Sequence, residues 1–184
     1  MLDEIIYIWG IFMKKTLILV RLDVDYCNYL RQFDCKVPYN YNEKKMRPYI
    51  GVLFEVDNFK YFAPLSSPKS KHLKLKTKLD FMKLDNGKLG AINFNNMLPV
   101  TENNIININL NKTCLDEYEE KYLKLLKEQL HWLNRNSDKL YNRSRKLYEK
   151  YCNGTLSMNI AKRCCNFKLL EEKCNEYNKI SITC

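Results

Sequence analysis

Apolar and polar positions change period several times along the chain, and each change marks an element. Residues 15–22, "KTLILVRL", are apolar and β-branched enough for a buried strand. In "VDYCNYLRQF" (24–33) the period lengthens: Val24, Cys27, Leu30 and Phe33 fall on one face of a short helix that Asp23 or Asp25 can cap. Residues 36–48 are polar, hold two prolines and lack periodicity, which predicts a loop. "YIGVLFEV" (49–56) and "FKYFAPL" (59–65) flank Asp57-Asn58, a good hairpin turn, and make two further strands. "DNGK" (85–88) predicts a turn, "LGAINF" (89–94) a fourth strand, and the clean alternation of "NIININL" (104–110) a fifth.

From Thr113 the pattern is helical. Thr113 and Asp116 are placed as a capping box, and Leu115, Tyr118, Tyr122, Leu125, Leu126 and Leu130 follow at helix spacing. Ser137 can cap a second helix over 138–152, ended by Asn153-Gly154, and a last helical region over about 156–178 breaks near Asn166. The fold class expected is α+β: a compact, strongly bent antiparallel sheet or β-barrel elaborated with C-terminal helices. We expect one domain, with a β-core over 13–110, a helical extension over 111–184 packed on it, and an N-terminal extension over 1–12.

That extension contains "IIYIWGIFM" (5–13), which looks like the apolar centre of a signal peptide. Asp3 and Glu4 precede it, Lys14 and Lys15 follow it, no small-residue cleavage site comes after, and nine residues are too few to span a bilayer. A cytoplasmic protein is therefore expected. Eight cysteines without C-x-x-C spacing then read as reduced thiols rather than a disulfide framework. With two histidines, a zinc site would need remote cysteines to converge, so we expect no metal and no cofactor.

Charge narrows the partner. Lysine and arginine number 31 against 21 aspartates and glutamates, a net charge of +10 that favours a polyanion, either nucleic acid or an anionic membrane surface. Between Lys69 and Lys83 stand six lysines and a single acid, Asp80. In an extended "KLKLKTKL" Lys74, Lys76 and Lys78 face one way, which suits phosphates; it equally suits a solvated edge strand kept from aggregating by its lysines. The loop before the second strand adds Lys44, Lys45 and Arg47, interleaved with Tyr39 and Tyr41. Cations among aromatics suit single-stranded RNA, while an exposed basic loop with its tyrosines packed on the sheet is the plainer alternative.

"YFAPLSSPKSKH" (61–72) carries the candidate chemistry. No Ser-His-Asp order or G-x-S-x-G elbow surrounds Ser66 or Ser67, so acyl chemistry lacks support. Hydroxyls at a strand end can instead donate to a phosphate, and Lys69 can place a charge on the same group. If RNA is the substrate, its own 2′-hydroxyl is the nucleophile, and the protein aligns it, neutralises the phosphorane and moves protons. A serine is too weak an acid for proton transfer, which leaves Lys69, Tyr41 or His72; a merely exposed His72, and a "SSPK" that does only turn work, are the plainer readings. A non-catalytic basic RNA-binding module, with the same lysines and tyrosines, is the alternative to an enzyme. A DNA-binding regulator is a weaker one, since no helix-turn-helix pattern appears.

The succession of "NYLRQFDCKVP" (28–38), "RPYIGVLFEV" (47–56), "KYFAPLSSPKSKH" (60–72) and "LGAINFNNMLPV" (89–100) resembles the ToxN/AbiQ family, the protein toxins of type III toxin-antitoxin systems. The resemblance is most specific over residues 24–100. It implies a bent-sheet barrel like that of the Kid and MazF toxins, SH3-like in its compactness. It also implies a metal-independent, sequence-preferring endoribonuclease of phage abortive infection that leaves 2′,3′-cyclic phosphate and 5′-hydroxyl ends. The implied partners are a small antitoxin RNA processed from tandem repeats, in a complex that can close into a cyclic protein–RNA assembly, and substrate RNA including the antitoxin precursor and mRNA. No membrane is involved. The family's hydroxyl pair falls on Ser66 and Ser67, its lysine on Lys69 and its histidine on His72. Its active-site lysine before the second strand falls on Arg47, which keeps the charge but does not readily give up a proton, so Lys45, Lys69 and Tyr41 are left as candidate bases. Lys44, Lys71, Lys74, Lys76 and Lys78 are the residues expected to grip RNA.

Overall fold

One strand organises the sheet. A computed structural model of the chain describes residues 16–39, 47–113 and 115–183, and in it β4 (Phe59–Ser66) pairs with four other strands. On one side it meets β3 (Glu55–Val56) and β2 (Tyr49–Gly51); on the other it meets β7 (Leu98–Val100) through Lys60, Tyr61 and Phe62, then β6 (Ala91–Asn93) through Leu65 and Ser66. Pro64, with no N–H to donate, falls in the gap between these last two pairings and lies opposite Tyr49 of β2. The remaining strands are β1 (Ile18–Leu22), β5 (Phe81–Lys83) and β8 (Ile105–Asn107), and the order is β5-β6-β4-β2-β1-β8, antiparallel throughout.

The end strands β5 and β8 do not pair with each other, so the closed barrel expected from sequence is not formed among the described residues. Two strands also went unforeseen, β5 and β7, each three residues long and one containing Pro99. The lysine-rich row corrects a further expectation. Residues Ser70–Lys74 form a helical turn, α2, and the chain returns to the sheet only at an isolated bridge between Lys78 and Phe81.

The helices follow their periodicity. In α1 (Val24–Phe33) Tyr26, Cys27 and Leu30 are buried, and the Asp23 carboxylate accepts the Tyr26 N–H at 2.8 Å as a true N-cap. Helix α3 (Glu117–Arg135) is capped by Asp116 through the Glu119 N–H, not by Thr113; α4 (Ser137–Cys152) begins with the Ser137 hydroxyl buried and unpartnered rather than capping. A short α5 (Met158–Ala161) and α6 (Phe167–Thr183) complete the chain.

Aromatic side chains join helices to sheet. Tyr61 of β4 stacks on Phe54 at 4.7 Å and meets Tyr148 and Phe167 edge-on, while the buried Glu171 carboxylate accepts from the Tyr61 and Tyr148 hydroxyls, each at 2.7 Å, and from Lys168. Helix α3 is fastened at two points. Asn134 exchanges hydrogen bonds with both backbone groups of Leu17, just before β1, and Gln129 donates to the Leu89 carbonyl at 2.7 Å. Those ties fasten the C-terminal half of α3 to the sheet, and its first turns reach the cleft at the end of β4. The six described cysteines are free; burial pushes the Cys164 and Cys165 thiols up to about 12, which keeps them protonated and inert. Among the described residues no helix is long and apolar enough to cross a membrane.

Candidate active site

The C-terminal end of β4 opens into a cleft of about 740 Å³. Ser66, Ser67 and Lys69 come from this strand end, Arg47 from the approach to β2, Arg21 from β1, and Asn107 from β8. Helix α3 forms the facing wall with Tyr118, Tyr122 and Leu126.

Two hydroxyls have different settings. Ser66, half-buried and paired with Ala91 of β6, accepts a hydrogen bond from the Asn93 side chain at 3.1 Å, which leaves its own O–H to donate elsewhere. Ser67 is exposed and makes no hydrogen bond among the described residues. Their backbone is pinned from behind: at Gly90, with φ of +94°, an added Cβ would lie 2.0 Å from the Ser66 carbonyl oxygen.

The charges are unbalanced. Arg21, Arg47, Lys69 and Lys112 line the cleft against one carboxylate, Glu119, which Lys112 already binds at 2.9 Å. Arg21, Arg47 and Lys69 have no ion-pair partner among the described residues, so three cations face a cavity in which no described carboxylate pairs with them. Carboxylates normally answer such charges; a binding site for an anion leaves them open.

The structure thus brings together Ser66, Ser67, Lys69 and Arg47 of the residues expected from sequence. Tyr41, Lys44 and Lys45 lie outside the described residues. Lys71, Lys74, Lys76 and Lys78 are exposed but do not line the cleft. Instead of a strand face, they surround α2 and the chain after it, and the Lys78 carbonyl accepts from Arg143.

His72 departs from the exposed setting. It is 2% exposed, its ring lies 6.0 Å from that of Phe81, its Nδ1 is buried without a partner, and it does not line the cleft. Burial, followed by the charges of Lys71 and Lys69, lowers its pKa below the usual 6.5. The folded state therefore favours the neutral ring. Its contribution is intact above pH 6.5 and is lost as pH falls through that value toward the lower folded one. In thermal melts between pH 7.5 and 5, the wild type is expected to lose stability and a His72→Gln protein to lose less; parallel curves would show that His72 does not titrate this way.

Sequence reasoning missed Arg21, Asn107 and Tyr118. Arg21 reads as an ordinary polar position in a strand, and only the pairing of Arg21 with Ile106 brings it beside Asn107. Tyr118 reads as part of the buried stripe of α3, yet it is 78% exposed. The buried stripe runs through Leu126, Gln129 and Leu133; toward the helix start it continues past the sheet into the cleft.

Known proteins of similar sequence and fold exist. The family model for the toxin ToxN of type III toxin-antitoxin systems matches residues 18–175. The endoribonuclease ToxN of Bacillus thuringiensis subsp. kurstaki is 32% identical over 171 residues, 86% of this chain and 82% of that protein. The solved structure of AbiQ, a lactococcal anti-phage endoribonuclease of a type III toxin-antitoxin system, superposes with a TM-score of 0.77 at 31% identity, covering 90% of this chain and 99% of AbiQ. A toxin from a type III system, solved in work on selective toxin inhibition by a non-coding RNA pseudoknot, gives a TM-score of 0.75 at 31% identity over 89% of this chain and 99% of its own.

Proposed function

This chain belongs to the ToxN toxin family of type III toxin-antitoxin systems, and from that membership we propose that it is an endoribonuclease whose cleft at the end of β4 cuts RNA. The observation that carries the assignment to this cleft is the convergence of two strand-end hydroxyls with three cations that no carboxylate answers among the described residues.

The reaction follows from that inventory. The 2′-hydroxyl oxygen attacks the adjacent phosphorus as its proton passes to a base. The bond from phosphorus to the 5′-oxygen breaks and that oxygen takes up a proton, leaving a 2′,3′-cyclic phosphate and a 5′-hydroxyl. Ser66 and Ser67 donate to the non-bridging oxygens, and Lys69 and Arg47 balance the charge that builds on them. Asn93 fixes the Ser66 hydroxyl as a donor. Arg47 stays protonated, so the base is sought among Lys69, Lys45 and Tyr41. His72 supports the segment from beneath. The exposed Lys71, Lys74, Lys76 and Lys78 hold the strand beyond the cleft.

The antitoxin, a small RNA, blocks the same cleft as a pseudo-substrate, consistent with the pseudoknot inhibition described for the related toxin. We read the chain as one cytoplasmic domain, with a β-core over 13–110, helices over 111–184, and a Kid/MazF-like sheet whose circuit is interrupted between β5 and β8.

Incubation of the protein with mixed-sequence RNA in EDTA tests the function. New cyclic-phosphate and 5′-hydroxyl ends are expected. RNA that is bound but uncut would replace the enzyme by a binding module.

A further inference from the structure

The β4 side of the cleft supplies hydroxyls and charge, and the opposite wall has a different chemistry. Tyr118 stands 78% exposed on the first turn of α3 and lines the cleft, so its ring is open to a ligand there. One turn on, Tyr122 is half-buried, close enough to Arg21 for that charge to act on its phenol. Arg21 itself is held by packing. Its Nε is buried without an acceptor, and the guanidinium has no hydrogen bond or ion pair among the described residues. A buried N–H left open is unfavourable, and an anionic ligand entering the cleft would offset that cost. Beside it, Asn107 at the end of β8 presents a side-chain amide that can both donate and accept.

A flat ring, a free cation and an amide are what a nucleotide needs: a face to stack on, a partner for its phosphate and a reader for its base edge. The cleft, about 740 Å³, is larger than a scissile phosphate requires and falls in the range of ligand-sized pockets, roughly 300–1,000 Å³.

We propose that the α3 wall is a nucleotide subsite that seats one unpaired nucleotide next to the scissile phosphate, with its base on Tyr118, its phosphate on Arg21 and its base edge read by Asn107. This rests on the reading that the β4 side holds the scissile phosphate. It makes the wall opposite β4, built from α3, β1 and β8, the part of the cleft that selects where RNA is cut. The ring is sequence-tolerant, since every base has a face to stack; discrimination falls to the Asn107 amide.

Binding of a single-stranded 2′-O-methyl RNA, which lacks the nucleophile, separates this subsite from catalysis. Fluorescence anisotropy across a salt series is expected to give about tenfold weaker binding for Tyr118→Ala, with Tyr118→Phe within about twofold of wild type. Arg21→Gln is expected to weaken binding and flatten the salt dependence by about one phosphate contact. On mixed-sequence RNA, Asn107→Ala is expected to alter the distribution of cut sites. The exposure of Tyr118 keeps its replacement from disturbing the fold, and unchanged melting confirms it.

If Tyr118→Ala and Arg21→Gln bind the analogue as wild type does, the subsite is refuted even though wild type cleaves RNA. If wild type binds the analogue through Tyr118 and Arg21 but cuts no RNA, the subsite stands and the catalytic reading falls.

Discussion

Ser67→Ala is expected to slow RNA cleavage by about 10²- to 10³-fold, the usual consequence of removing one donor to a developing oxyanion. The exposed hydroxyl makes no hydrogen bond among the described residues, so nothing in the fold depends on it. Stability should therefore change by no more than about 0.5 kcal/mol. Single-turnover cleavage alongside thermal melting separates the two effects. Ser66→Ala behaves differently, because it also strips the Asn93 amide of its acceptor and so loses stability as well as rate. A folded Ser67→Ala protein that cut RNA at the wild-type rate would remove Ser67 from the chemistry and leave Ser66 as the hydroxyl donor beside Lys69 and Arg47.

Much of this site was legible because its residues are contiguous. Ser66, Ser67 and Lys69 follow an apolar strand, and a strand that ends in hydroxyls and a cation reads as such in one dimension. The hairpin at Asp57-Asn58 and the amphipathic α1 were legible for the same reason: local period and turn chemistry agree with the tertiary arrangement.

The lysine row misled because alternation reports a half-buried strand only where a neighbouring strand and a core exist to use it. Here Leu73 and Leu75 are 60% and 44% exposed, so the alternating leucines mark no buried face, and a helical turn forms from Ser70 to Lys74. His72 was misjudged with it, since the side of a short turn that meets Phe81 and Gly87 is set by residues nine to fifteen positions away. The α3 wall was hidden for a reason of distance. Arg21 and Tyr118 stand nearly a hundred residues apart, and their meeting depends on the register of β1 with β8 and on the ties from Asn134 and Gln129 that fasten α3. Closure failed as an expectation because alternation in a strand says which face is buried but not whether two edges meet.

The second large effect is expected at Gly90, where the backbone of the two serines is held. Gly90 has φ of +94° and is fixed by two hydrogen bonds, from the Leu84 N–H to its carbonyl at 3.0 Å and from its own N–H to Gly87 at 3.2 Å. A Cβ there would stand 2.0 Å from the Ser66 carbonyl oxygen and 3.0 Å from the Ser67 carbonyl carbon, closer to the oxygen than any real side chain sits, and both neighbours are backbone. Gly90→Ala must therefore push the serine segment out of place or open the turn before β6. Gly154 is the internal control. Its φ is +67°, also left-handed, but nothing lies within 4 Å of an added Cβ. Gly154→Ala should cost only the conformational penalty of about 1–2 kcal/mol. Gly90→Ala adds a displacement of about 1–3 kcal/mol, giving roughly 2–5 kcal/mol in all. Denaturant unfolding measures that difference. Cleavage assayed where both variants remain folded should then fall steeply for Gly90→Ala and stay at the wild-type rate for Gly154→Ala. Equal stability losses would mean that Gly90 does not approach Ser66 as described. A fully active Gly90→Ala protein would mean that catalysis does not depend on where this backbone holds its hydroxyls.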